Sequence, residues 1–505
     1  MNYKVNEDLT SLIKSLSKKD IRDFRKFLRS SFLNPYPKAE ILFNSLITFN
    51  PEISGSKYNR LEVFKRMRTG KPYNDSTMRD LLSKLKYLIE KYLAYSSFES
   101  DEYGRLTHIR KQLYSRKLYE QIEKNINEAE SRIPGYEVAD PDHFYKRIKI
   151  ETEKFNNYVI NKKLFSEQYL NDSIISLNTS AINQLALFIL ESIKQNDNIL
   201  KITKRQEKTK TRNVIPELLK PIDLKKIIVT LKKNNRELSH IFQIYFNLYL
   251  LFSTGKGEKY FQHLKKDILE NSSKINADEL HFLFGRLIDY CVNMCNEGRS
   301  EYYKELFNAY AIMLEKKYYT NSSNRFISQD LFRNIFQTSL RIGDLKWAEE
   351  FIVKYRRELH PINRDSMYYY CYAYIYFENG RFEKALEYIL KIKQDYFALK
   401  IDIKVLQLKL YYELGMYEQV YNQLDSFKHF IANHEQIIPG RREKIKDFLF
   451  YFERVLKAKL KEDDESVAFL HQLLTKKSDR QFFSWLAEKA QSLETAKNKA
   501  SHIRG

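Results

Sequence analysis

Three groupings in the chain approach the spacing that chemistry requires. Gly255-Lys256 resembles the end of a phosphate-binding loop. Such a loop needs a glycine five residues before the Gly-Lys pair so that backbone amides can wrap a phosphate, and Leu250 stands there instead. Asp140, Asp142 and His143, followed by Glu151, Glu153 and Lys154, are metal-ligating types that faintly resemble a nuclease acidic cluster. Their order fits a helix start better, with Asp140 as N-cap and Pro141 as first helical residue. Cys291 and Cys295 share a helix face and would give two metal ligands, but there is no second pair and His281 lies more than a turn away, so ordinary buried cysteines are expected. Neither a G-x-S-x-G elbow nor an H-E-x-x-H pair occurs. The expectation is a protein with no catalytic, cofactor-binding or metal-binding residues: a non-enzyme without cofactor.

The elements that position side chains here are helices. At 505 residues the chain exceeds one compact core, and with 43% apolar and 14% aromatic residues it can bury several. Its 13 Gly and 10 Pro are too few for the closely spaced turns of an all-β fold. Three cysteines speak for a reducing compartment, hence a cytoplasmic location. The N-terminus lacks a signal-peptide core, and no stretch approaches the roughly 18 charge-free apolar residues of a membrane span. The net charge of +21 suits an anionic partner, although A+T-biased coding would also enrich Lys, Ile, Asn, Tyr and Phe.

Residues 1–100 read as four helices. Ser17 and Asp20 have capping-box spacing before Ile21, Phe24, Phe27 and Leu28; later, after N-cap chemistry at 74–76, Met78, Leu81, Leu82, Leu85, Leu88, Ile89, Tyr92 and Leu93 form one apolar stripe. Residues 101–200 form a helical connecting region. The polar stretch 201–222 reads as a basic loop or linker. Helical repeats and capping helices follow over 223–490, then a basic tail over 491–505.

Gly298, Gly343, Gly380 and Gly415 each close one apolar helix and precede another. The clearest unit places Ala373, Tyr376, Gly380, Phe382, Ala385 and Ile389, and the next repeats it with Leu408, Tyr411, Gly415, Tyr417, Val420 and Leu424. Gly343 with Leu345, Ala348 and Ile352 is a weaker copy, and those around Gly298 and Gly255 are degenerate. Over about residues 280–430 this pattern resembles the tetratricopeptide (TPR) repeat, without that family's helix-A Trp and with irregular repeat lengths. The resemblance implies an all-α fold, an N-terminal helical domain followed by a TPR-like solenoid of helical hairpins. Tyr368, Tyr370, Tyr372, Tyr374 and Tyr376 alternate at period two, which alone would suggest a strand; the flanking glycine and second helix favour a helix.

In the register of that family, Arg333, Gln337, Tyr370, Tyr374, Phe377, Lys409 and Tyr412 would line the concave face. That lining is a mixed aromatic and basic groove suited to a protein partner, an acidic one above all. The expected function is therefore a scaffold or adaptor. The alternative is a DNA- or RNA-associated protein using its basic N-terminal half, with Lys18, Arg22, Arg25, Lys26 and Arg29 and then Lys201, Lys204, Arg205, Lys208, Lys210 and Arg212 as phosphate contacts. Residues 61–93 would then include a helix-turn-helix unit, although Asp75, Asp80 and Glu90 on its outward positions would repel DNA.

Overall fold

The computed structural model describes residues 7–49, 60–67, 70, 72–135, 140–161, 166–205, 211–234, 236–253, 257–321, 325–392, 397–434, 437, 439–460, 467–476 and 480–504. Among them the fold is all-α, with 24 α-helices and no strand beyond one isolated bridge between Ile327 and Leu359. In chain order the first nine are α1 Glu7–Ser15, α2 Lys18–Arg29, α3 Lys38–Phe49, α4 Arg60–Arg66, α5 Asp75–Ser100, α6 Glu102–Ser115, α7 Tyr119–Ser131, α8 Pro141–Ile160 and α9 Glu167–Arg205. Next come α10 Ile215–Leu219, α11 Leu224–Asn234, α12 Arg236–Ser253, α13 Gly257–Glu270, α14 Ala277–Asn296, α15 Tyr302–Glu315, α16 Gln329–Arg341 and α17 Leu345–Tyr355. The last seven are α18 Arg364–Glu378, α19 Phe382–Leu390, α20 Phe397–Glu413, α21 Tyr417–Asn433, α22 Pro439–Leu460, α23 Val467–Thr475 and α24 Arg480–Arg504.

The chain divides into two compact units, residues 1–133 with 147–180, and residues 134–146 with 181–505. The expected boundaries at 100 and 200 are corrected by this division, which cuts inside α8 and α9. A long helix can give different turns to different cores: Ile150 packs with Leu106, Ile122 and Ile126 in the first unit, whereas Phe144 joins the core of the second. The loop expected over 201–222 is also shortened, because α9 continues to Arg205 and α10 occupies 215–219. The tail expected from 491 is the continuation of α24.

In the first unit local signals and packing agree. Ser17 Oγ accepts from the Asp20 amide at 3.1 Å, and the Asp20 carboxylate accepts from the Ser17 amide at 2.9 Å, so the capping box is complete. Asn74 caps α5 through the Thr77 amide at 3.0 Å. Phe24 is fully buried edge-on to Phe43, centroids 4.8 Å apart, a pair worth about 1 kcal/mol beyond its area. Seven of the eight residues of the α5 stripe are buried. Leu93, at the end of the stripe, is the exception and is 37% exposed.

α9 corrects the expectation about membrane spans. Over Glu167–Thr203 it is long and apolar enough, by length and composition, to cross a bilayer. About 39% of its most apolar window is buried: Ala186, Ile189, Leu190 and Ile193 lie in the core of the second unit, whereas Leu170, Ile174, Ile175 and Leu177 are exposed.

The second unit is organised by one turn used repeatedly. Gly298, Gly343, Gly380 and Gly415 all have positive φ, between 69° and 90°. At Gly380 its amide donates to Phe377 O at 3.0 Å and the Arg381 amide to Tyr376 O at 2.8 Å. The same pair of bonds closes the helices ahead of the other three glycines. These are Schellman turns, which satisfy the last carbonyls of the first helix and fold the second back on it. Lys317, at φ 56°, makes the same turn without glycine's freedom, and so does Lys117 in the first unit at φ 57°. The degenerate copy around Gly255 lies outside the described residues.

The alternating tyrosines are helical, as the repeat pattern predicts. Tyr368, Tyr372 and Tyr376 run along one side of α18 against Tyr388, and Tyr370 and Tyr374 run along another against Phe336. Two interleaved helical stripes thus produce a period of two in the sequence.

Gly380 and Gly415 have open space where a Cβ would stand, so only the backbone opposes alanine there. Each Gly→Ala change is expected to cost about 1 kcal/mol. Gly285→Ala, inside α14 at ordinary φ and equally unobstructed, should instead gain up to about 1 kcal/mol. Urea midpoints check the contrast, and equal shifts at all three positions would refute it.

Candidate functional site: a cavity around Lys409

A cavity of about 810 Å³ opens in the second unit, walled by α15, α16, α18, α20 and α24. Its foundation is Asp402 of α20. That carboxylate holds the Arg333 guanidinium in a two-pronged ion pair, whose second bond, from Nη2 to Oδ1, is 2.7 Å long. Tyr370 OH donates to Asp402 Oδ2 at 2.7 Å, Gln337 Nε2 donates to Tyr370 OH at 2.8 Å, and Tyr374 OH donates to the Asp402 carbonyl at 3.3 Å. Arg441 of α22 adds a longer contact at 3.7 Å. One buried acid therefore ties together α16, α18, α20 and α22. Burial pulls the Arg333 pKa down, but the adjacent Asp402 outweighs it and holds the guanidinium above its usual value. Burial, with Asp402 beside it, pushes the Tyr370 phenol well up, so it stays a donor.

Above this foundation the lining is mixed. Leu340, Phe377, Phe382, Val405 and Trp485 supply apolar wall. Trp485 stacks on Phe452 and meets Tyr412 edge-on. Its indole N–H donates to Glu413 at 2.8 Å, and Lys489 bridges Glu413 at 2.7 Å and Glu488 at 3.2 Å. These acids are already satisfied.

Three cations are not. The Lys409 ammonium lies 5.9 Å from the Phe377 ring centre and 5.6 Å from that of Trp485, with no carboxylate at ion-pair distance among the described residues. Arg341 donates only to Tyr303 OH, at 2.9 Å, and the exposed Lys304 has no acid beside it among the described residues. Against these three stands, among the described residues, one lining carboxylate without an ion pair, Glu378. Burial pushes Lys409 down to about 8 and Glu378 up; their mutual attraction opposes both shifts without cancelling them.

Four of the seven residues assigned to the groove therefore meet around one cavity: Gln337, Tyr374, Phe377 and Lys409. The other three are corrected. Arg333 and Tyr370 lie beneath the surface, bound to Asp402, and Tyr412 is buried between Phe452 and Trp485. Their aromatic area and hydrogen bonds are used up within the unit. Asp402, Arg341, Lys304 and Trp485 were not in the predicted set. The trace of Asp402 in the sequence is an acid between Ile401 and Ile403 of α20, whereas Trp485 arrives from α24, beyond the repeats, with no local signal.

The predicted phosphate contacts are dispersed. Arg22 and Lys26 contact Asp23 at 3.5 and 3.2 Å, Arg29 contacts Glu40 at 2.7 Å, and Arg25 donates to Asn44 at 3.0 Å; Lys18 is exposed. Lys201 pairs with Asp197 at 3.0 Å, and Arg212 pairs with Glu217. Lys204 and Arg205 end α9, their side chains outside the described residues, as are Lys208 and Lys210 entirely. On α5, Asp75 holds Arg79 at 3.1 Å and Asp80 holds Lys84 at 2.6 Å, so the outward face of that helix is self-paired.

Asp140 accepts from the His143 amide at 2.7 Å and from Asn276 at 2.7 Å, which is capping plus a tertiary contact. Burial pushes the thiols of Cys291 and Cys295 up to about 12 and about 11, so both are protonated at neutral pH. No family model, curated protein or solved structure matches the chain.

Because Asp402 is buried, removing its partner strands a charge. Arg333→Ala is expected to cost about 3–5 kcal/mol, and the apolar pair Arg333→Met with Asp402→Leu to recover most of that. Urea denaturation decides the matter: a single variant with the wild-type midpoint would show that the pair does not hold the helices together.

Proposed function

We propose that this chain is a non-enzymatic, TPR-like helical-repeat scaffold that binds a protein partner through the concave face of its C-terminal half, in the cytoplasm. The observation that carries this reading is the meeting of Gln337, Tyr374, Phe377 and Lys409 around one cavity, four residues assigned to that face by repeat register. Recurring Schellman turns at Gly298, Gly343, Gly380 and Gly415 support the repeat character, and three free cysteines suit a reducing compartment. A cavity with apolar and aromatic walls and a few polar groups is what a peptide anchor needs. Nucleic-acid binding is the weaker alternative, because Arg22, Lys26, Arg29, Lys201 and Arg212 already sit against acids of their own unit.

A photo-cross-linking residue placed at Phe382, in the cavity wall, should trap a discrete protein adduct in the native cell. The same residue at Val353, 73% exposed on α17, should not. The adduct should survive nuclease. Loss of all adducts on nuclease treatment, or equal trapping at both positions, would overturn the proposal.

A further inference from the structure

Lys409 places a cation where the fold itself gains little from it. A lysine in an apolar cavity normally shifts towards solvent or finds an acid. Here Phe377 and Trp485 flank its ammonium. The neighbouring acids of α20 and α24 belong to Lys489, and Glu378 of α18 stands beyond ion-pair distance. Arg341 of α16 and Lys304 of α15 add two more cations at the same cavity without an acid beside them among the described residues.

We infer that the cavity is a receptor for an acidic peptide segment, in which Lys409 takes one side-chain carboxylate between Phe377 and Trp485 while Arg341 and Lys304 receive further negative charge at the rim. This rests on the protein-binding role proposed above and names the chemistry of the partner. The complementarity is specific: an apolar residue of the segment covers Val405 and Phe382, and its acid completes an ion pair that the protein leaves half made.

A dependence on pH accompanies the geometry. Burial brings Lys409 down to about 8, against an opposing pull from Glu378, Glu488 and Glu413, none at ion-pair distance. A bound carboxylate favours the ammonium and raises that value again, so binding is strongest below about pH 8 and weakens as Lys409 loses its proton above it. Between pH 7 and pH 9 the free protein's charged fraction falls about tenfold, and affinity for an acidic segment falls with it. The other charged groups facing Lys409 are Glu378, Glu413, Glu488, Lys489 and Arg341, so a variant lacking only the Lys409 amine serves to isolate its part.

The test uses the full chain and a displayed library of random dodecapeptides. Selected peptides are measured by fluorescence anisotropy beside versions with Asp and Glu changed to Asn and Gln. Enrichment of acids next to apolar residues, a tenfold or greater loss on amidation, and a further tenfold loss from pH 7 to pH 9 are expected. Lys409→Met should lose at least fivefold of the difference between acid and amide peptides, keeping only the part that Arg341 and Lys304 supply, with no such pH dependence. It should unfold at the same or higher urea concentration than wild type, which separates lost binding from lost folding. Binders without acids, displaced by Phe377→Ala but indifferent to Lys409→Met, would overturn the acidic-segment inference while leaving the protein-binding role intact. A library without binders would overturn both.

Discussion

Asp402 is the constraint around which the second unit is arranged at its candidate site. It lies on α20 and is reached by Arg333 of α16, Tyr370 of α18 and Arg441 of α22. Removing a carboxylate from water costs several kcal/mol, and that cost is offset only if the surrounding donors stay in place. The consequence is positional. Helices 69 residues apart in sequence, at Arg333 and Asp402, are held in one geometry, and the space left between them and α24 is the cavity. Apolar packing alone would tolerate sliding of one helix along another; a two-pronged guanidinium-carboxylate pair does not.

The same helix, α20, carries opposite electrostatic arrangements about 10 Å apart along its axis. Arg333 and Asp402 are buried and matched, and the carboxylate holds the guanidinium above its usual value. Lys409, two turns farther along α20, is enclosed and unmatched, and its proton is held loosely. A fold under pressure for stability alone would replace Lys409 with leucine or methionine at little loss. Retention of an unpaired ammonium among aromatic rings is intelligible when its counter-charge comes from outside the chain.

Local chemistry made much of the fold readable. The capping box at Ser17 and Asp20, the caps at Asn74 and Asp140, and the glycine turns need only contacts within a few residues, so their signals lie in contiguous sequence. The apolar stripe of α5 was readable for the same reason, since helical spacing decides which residues share a face. Misplacements occurred where one helix serves two cores. The unit boundaries within α8 and α9 leave no break in composition, because turns that belong to different cores are equally apolar and equally helical. At the site, Gln337, Tyr374, Phe377 and Lys409 line one cavity, but helical spacing does not distinguish such side chains from one such as Tyr370 that is consumed beneath it.

By itself, then, the sequence determined that the chain is helical, where several helices begin, and that glycine turns recur through the C-terminal half. These depend on interactions between residues three to five apart, which any stretch of chain carries with it. The tertiary structure decided which cations are already spent. Arg333 and Lys409 look alike in a repeat register, and only the arrival of Asp402 at one, and of Phe377 and Trp485 with no acid at ion-pair distance among the described residues at the other, separates a structural charge from an available one. Such pairing depends on residues tens of positions apart, and spacing along the chain does not record it.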